Sequence, residues 1–420
     1  MFKDIIFGLK SLLNKPYKIG FITYYYPQKG KSHNGVAIHV SYLAKELAEL
    51  GCDVHIFTRG DSNYIRKEHH KNGRIVIHHI NTNLSLPIND KTTNARIAYN
   101  IFDNGVITEI AKEHSHETFD IIHTHGWLTS GAFISKHLNN IKWIHTFHAL
   151  EKNRLKFMTK EQREYFNVAK WVESTVHDAD LLIAVSNHLR DEVLNNYSVK
   201  PDKIVYIPNG VDLNIFKPQG NYQDKKILYV GRFSFEKGID LVPKIARKVL
   251  ENTNDVRFQA IAPDNNILLS LERVKKEFEK LAEDYPERFL WVREPVSREE
   301  IAKLYNECCV FVQPSRYEAF GLTTMEAMAC GKAVVTSNKG ALPEVVENAG
   351  ICLPLNSGLF TREILNLLKD YRLRERYGRR GIEKAKQFSW KDVAKQVLDN
   401  HLRISRKKEK QTTLKSLKLI

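Results

Sequence analysis

The chain has 420 residues, 42% of them hydrophobic, and 64 lysines and arginines against 49 acidic residues give it a net charge of +15. That length exceeds what one core ordinarily supports, so two domains are the default. Five cysteines (Cys52, Cys308, Cys309, Cys330 and Cys352) without a Cys-x-x-Cys pair argue against a zinc ribbon or disulfide scaffold and for reduced core thiols in a cytoplasmic setting. The basic balance suits an anionic partner, but no nucleic-acid recognition motif accompanies it.

In chain order, residues 1–15 place Phe2, Ile5, Ile6, Leu9, Leu12 and Leu13 at helical spacing with lysines interleaved, until Pro16 stops the run. The segment is too short and too charged for a membrane span or secretory signal. Two readings remain: a helix packed on the domain, or an interfacial helix giving peripheral contact with an anionic membrane at its inner face. Lys18 to Thr23 reads as a strand, and Asn34-Gly35-Val36 opens a helix continuing through Leu43, Leu47 and Leu50. Gly35 lets the backbone approach a phosphate or sugar closely. Gly30-Lys31-Ser32 is not a nucleoside-triphosphate loop, because Tyr25 stands where its first glycine is required.

Asp120 to Trp127 is a short buried-type strand ending in His123, His125 and Gly126, and in open α/β sheets ligands gather at strand C-termini. The next strand ends in Ile144-His145-Thr146-Phe147-His148. Asp178-Ala179-Asp180 has the spacing of a metal-holding carboxylate pair, but it falls at a helix-to-strand corner where aspartates satisfy turn amides, so no metal site is expected. Proline and glycine in Val205 to Asp212 break regular structure, which sets a domain boundary between 16–207 and 208–388. Strands alternating with helices in both halves imply parallel sheets wound on both faces.

The second half opens with a strand ending at Val230 and the loop Gly231-Arg232-Phe233-Ser234-Phe235-Glu236-Lys237-Gly238. Arg232, a planar fork, and Lys237, a point charge, can converge on a diphosphate. Further on comes Pro314-Ser315-Arg316-Tyr317-Glu318-Ala319-Phe320-Gly321-Leu322-Thr323-Thr324-Met325-Glu326. The small and hydroxyl-bearing residues after Gly321 suit a helix N-terminus, where unpaired amides attract an anion. Glu318 then lies in the preceding loop and Glu326 about one turn inside, so that the two carboxylates flank one ligand and accept hydrogen bonds from its hydroxyls. A last long helix runs from Trp390 to about Leu402, followed by a basic tail, 405–420.

In this order the motifs resemble those of the retaining GT-B-fold glycosyltransferases of family four, the "glycosyl transferases group 1", and His125-Gly126-Trp127 adds some resemblance to glycogen synthases and sucrose-phosphate-synthase-like members. The resemblance implies an α/β GT-B architecture of two Rossmann-like parallel-sheet domains facing each other across a cleft. It places the acceptor domain at 16–207 and the nucleotide-sugar domain at 208–388, with a helix at 389–404 crossing back to the first. It implies transfer of a hexose, with retention and without metal or cofactor, from a UDP-, ADP- or GDP-sugar to a hydroxyl of a carbohydrate or glycolipid acceptor.

Residue by residue, it puts His125 beside the transferred sugar, Arg232 and Lys237 on the leaving diphosphate, and Glu318 at the sugar. Gly35, Phe320, Gly321, Leu322 and Thr323 hold sugar and phosphate, Glu326 the ribose, and His145 and His148 shape the acceptor pocket. The leaving phosphate itself helps deprotonate the incoming hydroxyl. Asn34 replaces the usual first glycine of its loop, and Ala341 one glycine of the usual Gly-Gly-x-Pro-Glu at Gly340 to Glu344. Ile261-Ala262-Pro263-Asp264 and Trp291 to Pro295 replace two glycine-containing turns near the base, which leaves the nucleotide open. Two alternatives share the architecture: a nucleotide-sugar epimerase, and a membrane-associated, non-catalytic subunit.

Overall fold

The computed structural model describes residues 16–27, 34–60, 66–71, 73–81, 91–126, 141–157, 163, 176–220, 225–264 and 271–417. The 1–15 segment, Gly30-Lys31-Ser32 and Trp127 lie outside these. The first sheet comprises β1 (Lys18–Thr23), β2 (Asp53–Gly60), β3 (Arg66–His70), β4 (Ile75–Asn81), β5 (Ile121–His125), β6 (Lys142–Phe147), β7 (Leu181–Ala184) and β8 (Ile204–Tyr206). Its order is β3-β4-β2-β1-β5-β6-β7-β8, parallel except for the antiparallel edge pair β3–β4. Every residue of β1 is buried, as a parallel strand covered on both faces requires.

Helices α1 (Gly35–Glu49), α2 (Lys91–His116), the single turn α3 (Glu151–Arg154) and α4 (Asn187–Asn196) accompany this sheet. Asn34 caps α1 by accepting from the Ala37 amide at 2.9 Å, and Ser186 caps α4 through the Leu189 amide.

The second sheet runs β11-β10-β9-β12-β13-β14, all parallel, from β9 (Lys226–Val230), β10 (Arg257–Ile261), β11 (Phe289–Val292), β12 (Val310–Gln313), β13 (Ala333–Ser337) and β14 (Ile351–Leu353). Its helices are α5 (Val242–Glu251), α6 (Glu272–Asp284), α7 (Arg298–Glu307), α8 (Leu322–Ala329), α9 (Leu342–Val346), α10 (Ser357–Lys369) and α11 (Tyr371–Lys386).

Among their parallel strands, both sheets reverse strand order once, between β1 and β5 in the first and between β9 and β12 in the second. Such a switch point opens a crevice at the strand C-termini, where ligands of this architecture bind. His125 is the last residue of β5, Gly35 the first of the helix that follows β1, and the loops that leave β9 and β12 carry Arg232 with Lys237, and Glu318.

The final helix, α12 (Trp390–Leu417), runs further than its hydrophobic pattern indicates and takes in most of the segment read as a tail. No proline or glycine interrupts it, and lysine, arginine, glutamate and leucine sustain helix without needing a buried face. Val393, Ala394, Val397 and Leu398 of α12 share one apolar core with Val40, Leu43 and Leu47 of α1, so the helix returns to the first domain. The two chain crossings lie together, joined by the Val211 amide donating to the Phe388 carbonyl at 2.7 Å.

Candidate active site

Glu318 sits at the centre of the second switch point, 7% exposed. Its Oε1 accepts from Lys237 Nζ at 2.7 Å, Gln313 Nε2 at 2.5 Å and Ser315 Oγ at 3.1 Å. Gln313, the last residue of β12, turns its amide oxygen the other way and accepts from Thr323 Oγ1 at 2.7 Å and Thr324 Oγ1 at 2.8 Å. One glutamine side chain thus sets both the carboxylate and the first turn of α8. Sequence reading missed it, because a glutamine at a strand end carries no motif of its own.

Two glycines let neighbouring loops press against this one. At Gly340 (φ +60°) a Cβ would meet the Glu318 carbonyl oxygen at 2.2 Å, and at Gly238 (φ +70°) one would meet the Pro314 oxygen at 1.8 Å. Any side chain at either position would clash with backbone as well as strain its own. Arg316 completes the assembly with a bidentate pair to Asp240 at 2.6 and 2.8 Å, clamping the Glu318 loop to the Lys237 loop.

Arg232 is 56% exposed and donates to Glu236 Oε2 at 3.0 Å. The same oxygen accepts from Arg154 Nε at 3.1 Å, a residue of the first domain. Burial opposes ionisation of Glu236, but Arg154, then Arg232 and Lys237, outweigh it and hold the carboxyl well below the usual range. Glu236 is therefore an anion that spaces three cations.

Gly321 adopts a left-handed conformation (φ +101°) at the N-cap of α8 and leaves the amides after it without a side-chain cap. Leu322 begins the helix, and its Cδ1 lies 3.5 Å from where a Cβ on Gly35 would stand. The glycine loop of the first domain and the helix start of the second are thus face to face. The Phe320 side chain is buried against Phe388, which leaves its backbone as the group able to meet a ligand. Glu326 is 4% exposed, paired with Arg298 at 3.0 Å and accepting from Tyr305 Oη at 3.5 Å, while burial pushes its carboxyl up against the pull of Arg298.

Across the cleft, His125 ends β5 and is 1% exposed. Its Nδ1 lies 3.3 Å from His148 Nε2, and its Nε2 is buried without a hydrogen-bond partner among the described residues. His39 of α1 joins them, with ring centroids 5.3 Å from His125 and 4.5 Å from His148, and its Nδ1 bonds Asn209 Oδ1 at 2.7 Å. Its Nε2 is likewise buried without a partner. Burial, then neighbouring histidines, depresses His125 well below an ordinary imidazole, and burial holds His39 at about 4 despite Asn209, so both are neutral near pH 7. One nitrogen from each of His39, His125 and His148 falls within a common 4.8 Å, so the trio is able to hold a metal. His39 and Asn209 escaped sequence reading because they join only in three dimensions.

His145 is a correction. It pairs in register with Thr124, one position out of phase with His125, and so lies on the other face of the sheet. There it is buried with its Nδ1 2.8 Å from Thr124 Oγ1 and packed against Phe147 and Trp143, away from the His125–His148 cluster. His123 shares the His125 face but is engaged by Thr146 at 2.7 Å and by His401 of α12 at 3.1 Å. Asp180 answers the Trp143 amide at 2.9 Å and Lys142 at 2.6 Å, as a corner residue does.

The "Glycosyltransferase Family 4" profile matches residues 33–215 and the "Glycosyl transferases group 1" profile residues 211–384. An alpha-maltose-1-phosphate synthase of Mycolicibacterium smegmatis is 28% identical over 414 residues, covering 92% of this chain and 100% of the relative. One of the same name from Mycobacterium tuberculosis is 30% identical over 312 residues, 68% of this chain and 79% of that protein. Among solved structures, a sucrose-phosphate synthase from Thermosynechococcus elongatus superposes with a TM-score of 0.76 at 23% identity, over 92% and 98% of the two chains, which speaks for the fold.

The chain belongs to the family-four, group 1 glycosyltransferases and has their GT-B architecture. Its class is glycosyl transfer, so the epimerase reading gives way. No helix among the described residues is long and apolar enough to cross a membrane.

Proposed function

We propose that this enzyme moves a hexose, with retention and without a catalytic metal, from a nucleoside-diphosphate sugar to a hydroxyl of a carbohydrate or glycolipid acceptor. The observation that carries the reading is the Lys237–Glu318 pair at 2.7 Å, held by Gln313 at one switch point while Gly35 of the other lies against Leu322.

As the glycosidic C–O bond breaks, charge grows on the leaving diphosphate, and cations fixed in advance stabilise that state more than the ground state. Arg232 and Lys237 supply them, and the uncapped amides after Gly321 add the partial charge of a helix N-terminus. Glu318 accepts from sugar hydroxyls once a ligand competes for its oxygens. Neutral His125 offers Nε2 to the sugar, which suits an orienting group better than a cation beside a developing oxocarbenium ion. Glu326 exchanges its Arg298 contact for the ribose, and the leaving phosphate takes the acceptor proton. His148 and His39 line the acceptor side.

The relatives are named as synthases of a sugar phosphate, which makes a phosphorylated sugar the first acceptor to try. Incubation with UDP-, ADP- and GDP-hexoses and such acceptors, read by NMR of the new anomeric proton, tests the proposal. Transfer with the donor's anomeric configuration is expected, also in the presence of EDTA; an inverted product would overturn retention, and loss of turnover in EDTA would overturn metal independence.

A further inference from the structure

Far from the cleft, the first domain gathers a second set of metal-ligand side chains. In the β2–β4 register His55 opposes Val76 and Phe57 opposes His78, so the two histidines are diagonal neighbours on one face of the sheet. Helix α2 crosses that face and presents Glu109 and Glu113, one turn apart. His55 Nδ1 lies 3.0 Å from His78 Nε2 and 3.8 Å from Glu113 Oε2. One ligand atom from each of the three falls within a common 4.8 Å. His78 Nδ1, its other nitrogen, lies 3.2 Å from Glu109 Oε1.

We propose that His55, His78 and Glu113 bind a divalent transition-metal ion of the zinc class, with Glu109 as the outer carboxylate that orients His78. The chemistry follows from the Glu109 contact. A carboxylate accepts the Nδ1–H of His78, which places the remaining lone pair on Nε2, the atom that faces His55 and Glu113. Carboxylate–histidine–metal chains are the usual outer support of such sites. Metal–nitrogen bonds of about 2.0–2.1 Å put two ligand atoms of a tetrahedral site about 3.3 Å apart, so the 3.0 and 3.8 Å separations need only small side-chain shifts.

Two imidazoles and one carboxylate select a borderline ion such as zinc over calcium or magnesium, which favour all-oxygen sets. The rings are already held, with Phe57 stacked on His78 at 4.5 Å and Phe119 edge-on to His55 at 5.2 Å. On binding, the ion takes the place of the proton between the two imidazoles: His55 gives up its Nδ1 proton and takes one from solvent at Nε2, so both rings bind as neutral ligands and no net proton is released from them. His55 stands five residues before Gly60, at the opposite end of β2 from the cleft, so the ion would tie α2 to the sheet and touch no substrate.

The full-length chain, stripped with a chelator and desalted, is titrated with Zn²⁺ in a thermal melt and with Co²⁺ by visible absorption. One ion per chain, a raised melting temperature and the intense bands of four-coordinate Co²⁺ are expected. His55→Gln and the part-exposed Glu113→Gln should abolish the bands, and Glu109→Gln should weaken binding about 10–100-fold, with circular dichroism confirming the fold of each. His148→Gln should leave the bands intact. Failure to take up either ion would overturn the proposal. So would bands that persist in both His55→Gln and Glu113→Gln, or that vanish in His148→Gln while surviving in His55→Gln, which would put the ion in the cleft.

Discussion

Glu318 has no chemistry by itself; Lys237, Gln313 and Ser315 converge on its Oε1, and in the proposed reading the carboxylate so held accepts from a sugar hydroxyl. Removing the cations tests the account at this scale. Arg232→Ala and Lys237→Ala should each raise the barrier by about 2–4 kcal/mol, the range for losing a fixed donor to a developing anion, read as kcat/KM. Wild-type turnover in both would remove them from the mechanism. Gly340→Ala is a second test, since the new Cβ would stand 2.2 Å from the Glu318 carbonyl oxygen. It should lower stability by about 1–3 kcal/mol in urea unfolding and cut turnover as well, because the displaced atoms belong to the site. An alanine variant as stable and active as wild type would show that the loop is slack.

At the scale of elements, the switch points explain which part of the site was legible in the sequence. His125, Lys237 and Glu318 stand at or just beyond the ends of apolar strands and Gly35 opens the helix that follows β1, so their pattern and place could be read together. His145 could not be placed this way: residue type and strand end were right, but alternation along β6 turns it to the other face. Gln313, Glu236 and Arg154 were missed because their value lies in contacts between loops distant in the chain. The end of α12 falls later than the sequence pattern placed it, because no proline or glycine stops the helix after Leu402.

The histidines of β5, β6, α1 and α12 yield a pH prediction. Burial holds His39 at about 4 and His145 and His401 at about 3, against 6.5 for a free imidazole. Between pH 6.5 and 4 the unfolded chain therefore binds more protons than the folded one, so stability present above 6.5 is lost as pH falls. The urea midpoint should decline steeply across that window and stay flat from pH 7 to 8. A flat profile down to pH 4 would contradict buried neutral histidines.

For the whole molecule, the domains meet through polar groups as well as the shared crossing. Glu344 accepts from the Asn187 and His188 amides at 2.9 and 3.1 Å, placing a carboxylate of the second domain on the N-terminus of α4 in the first. Tyr317, beside Glu318, donates to Glu192 at 2.9 Å and accepts from the Leu150 amide at 3.2 Å. Arg154 reaches Glu236. Glu344→Ala should weaken this contact by about 0.5–2 kcal/mol, as loss of a helix cap does, and small-angle scattering should record a larger radius of gyration. An unchanged radius would show that the other contacts hold the domains alone.

In the proposed reading, the two switch points form one nucleotide-sugar cleft with Lys237 on the diphosphate. Titration calorimetry of wild-type and Lys237→Ala chains with UDP, ADP and GDP tests it most directly. One nucleotide should bind the wild type with a single site, and its affinity should fall at least about tenfold in a folded Lys237→Ala variant, the loss of a charge-assisted contact of about 1.4 kcal/mol or more. No binding of any of the three, or equal affinity in the two chains, would contradict the account.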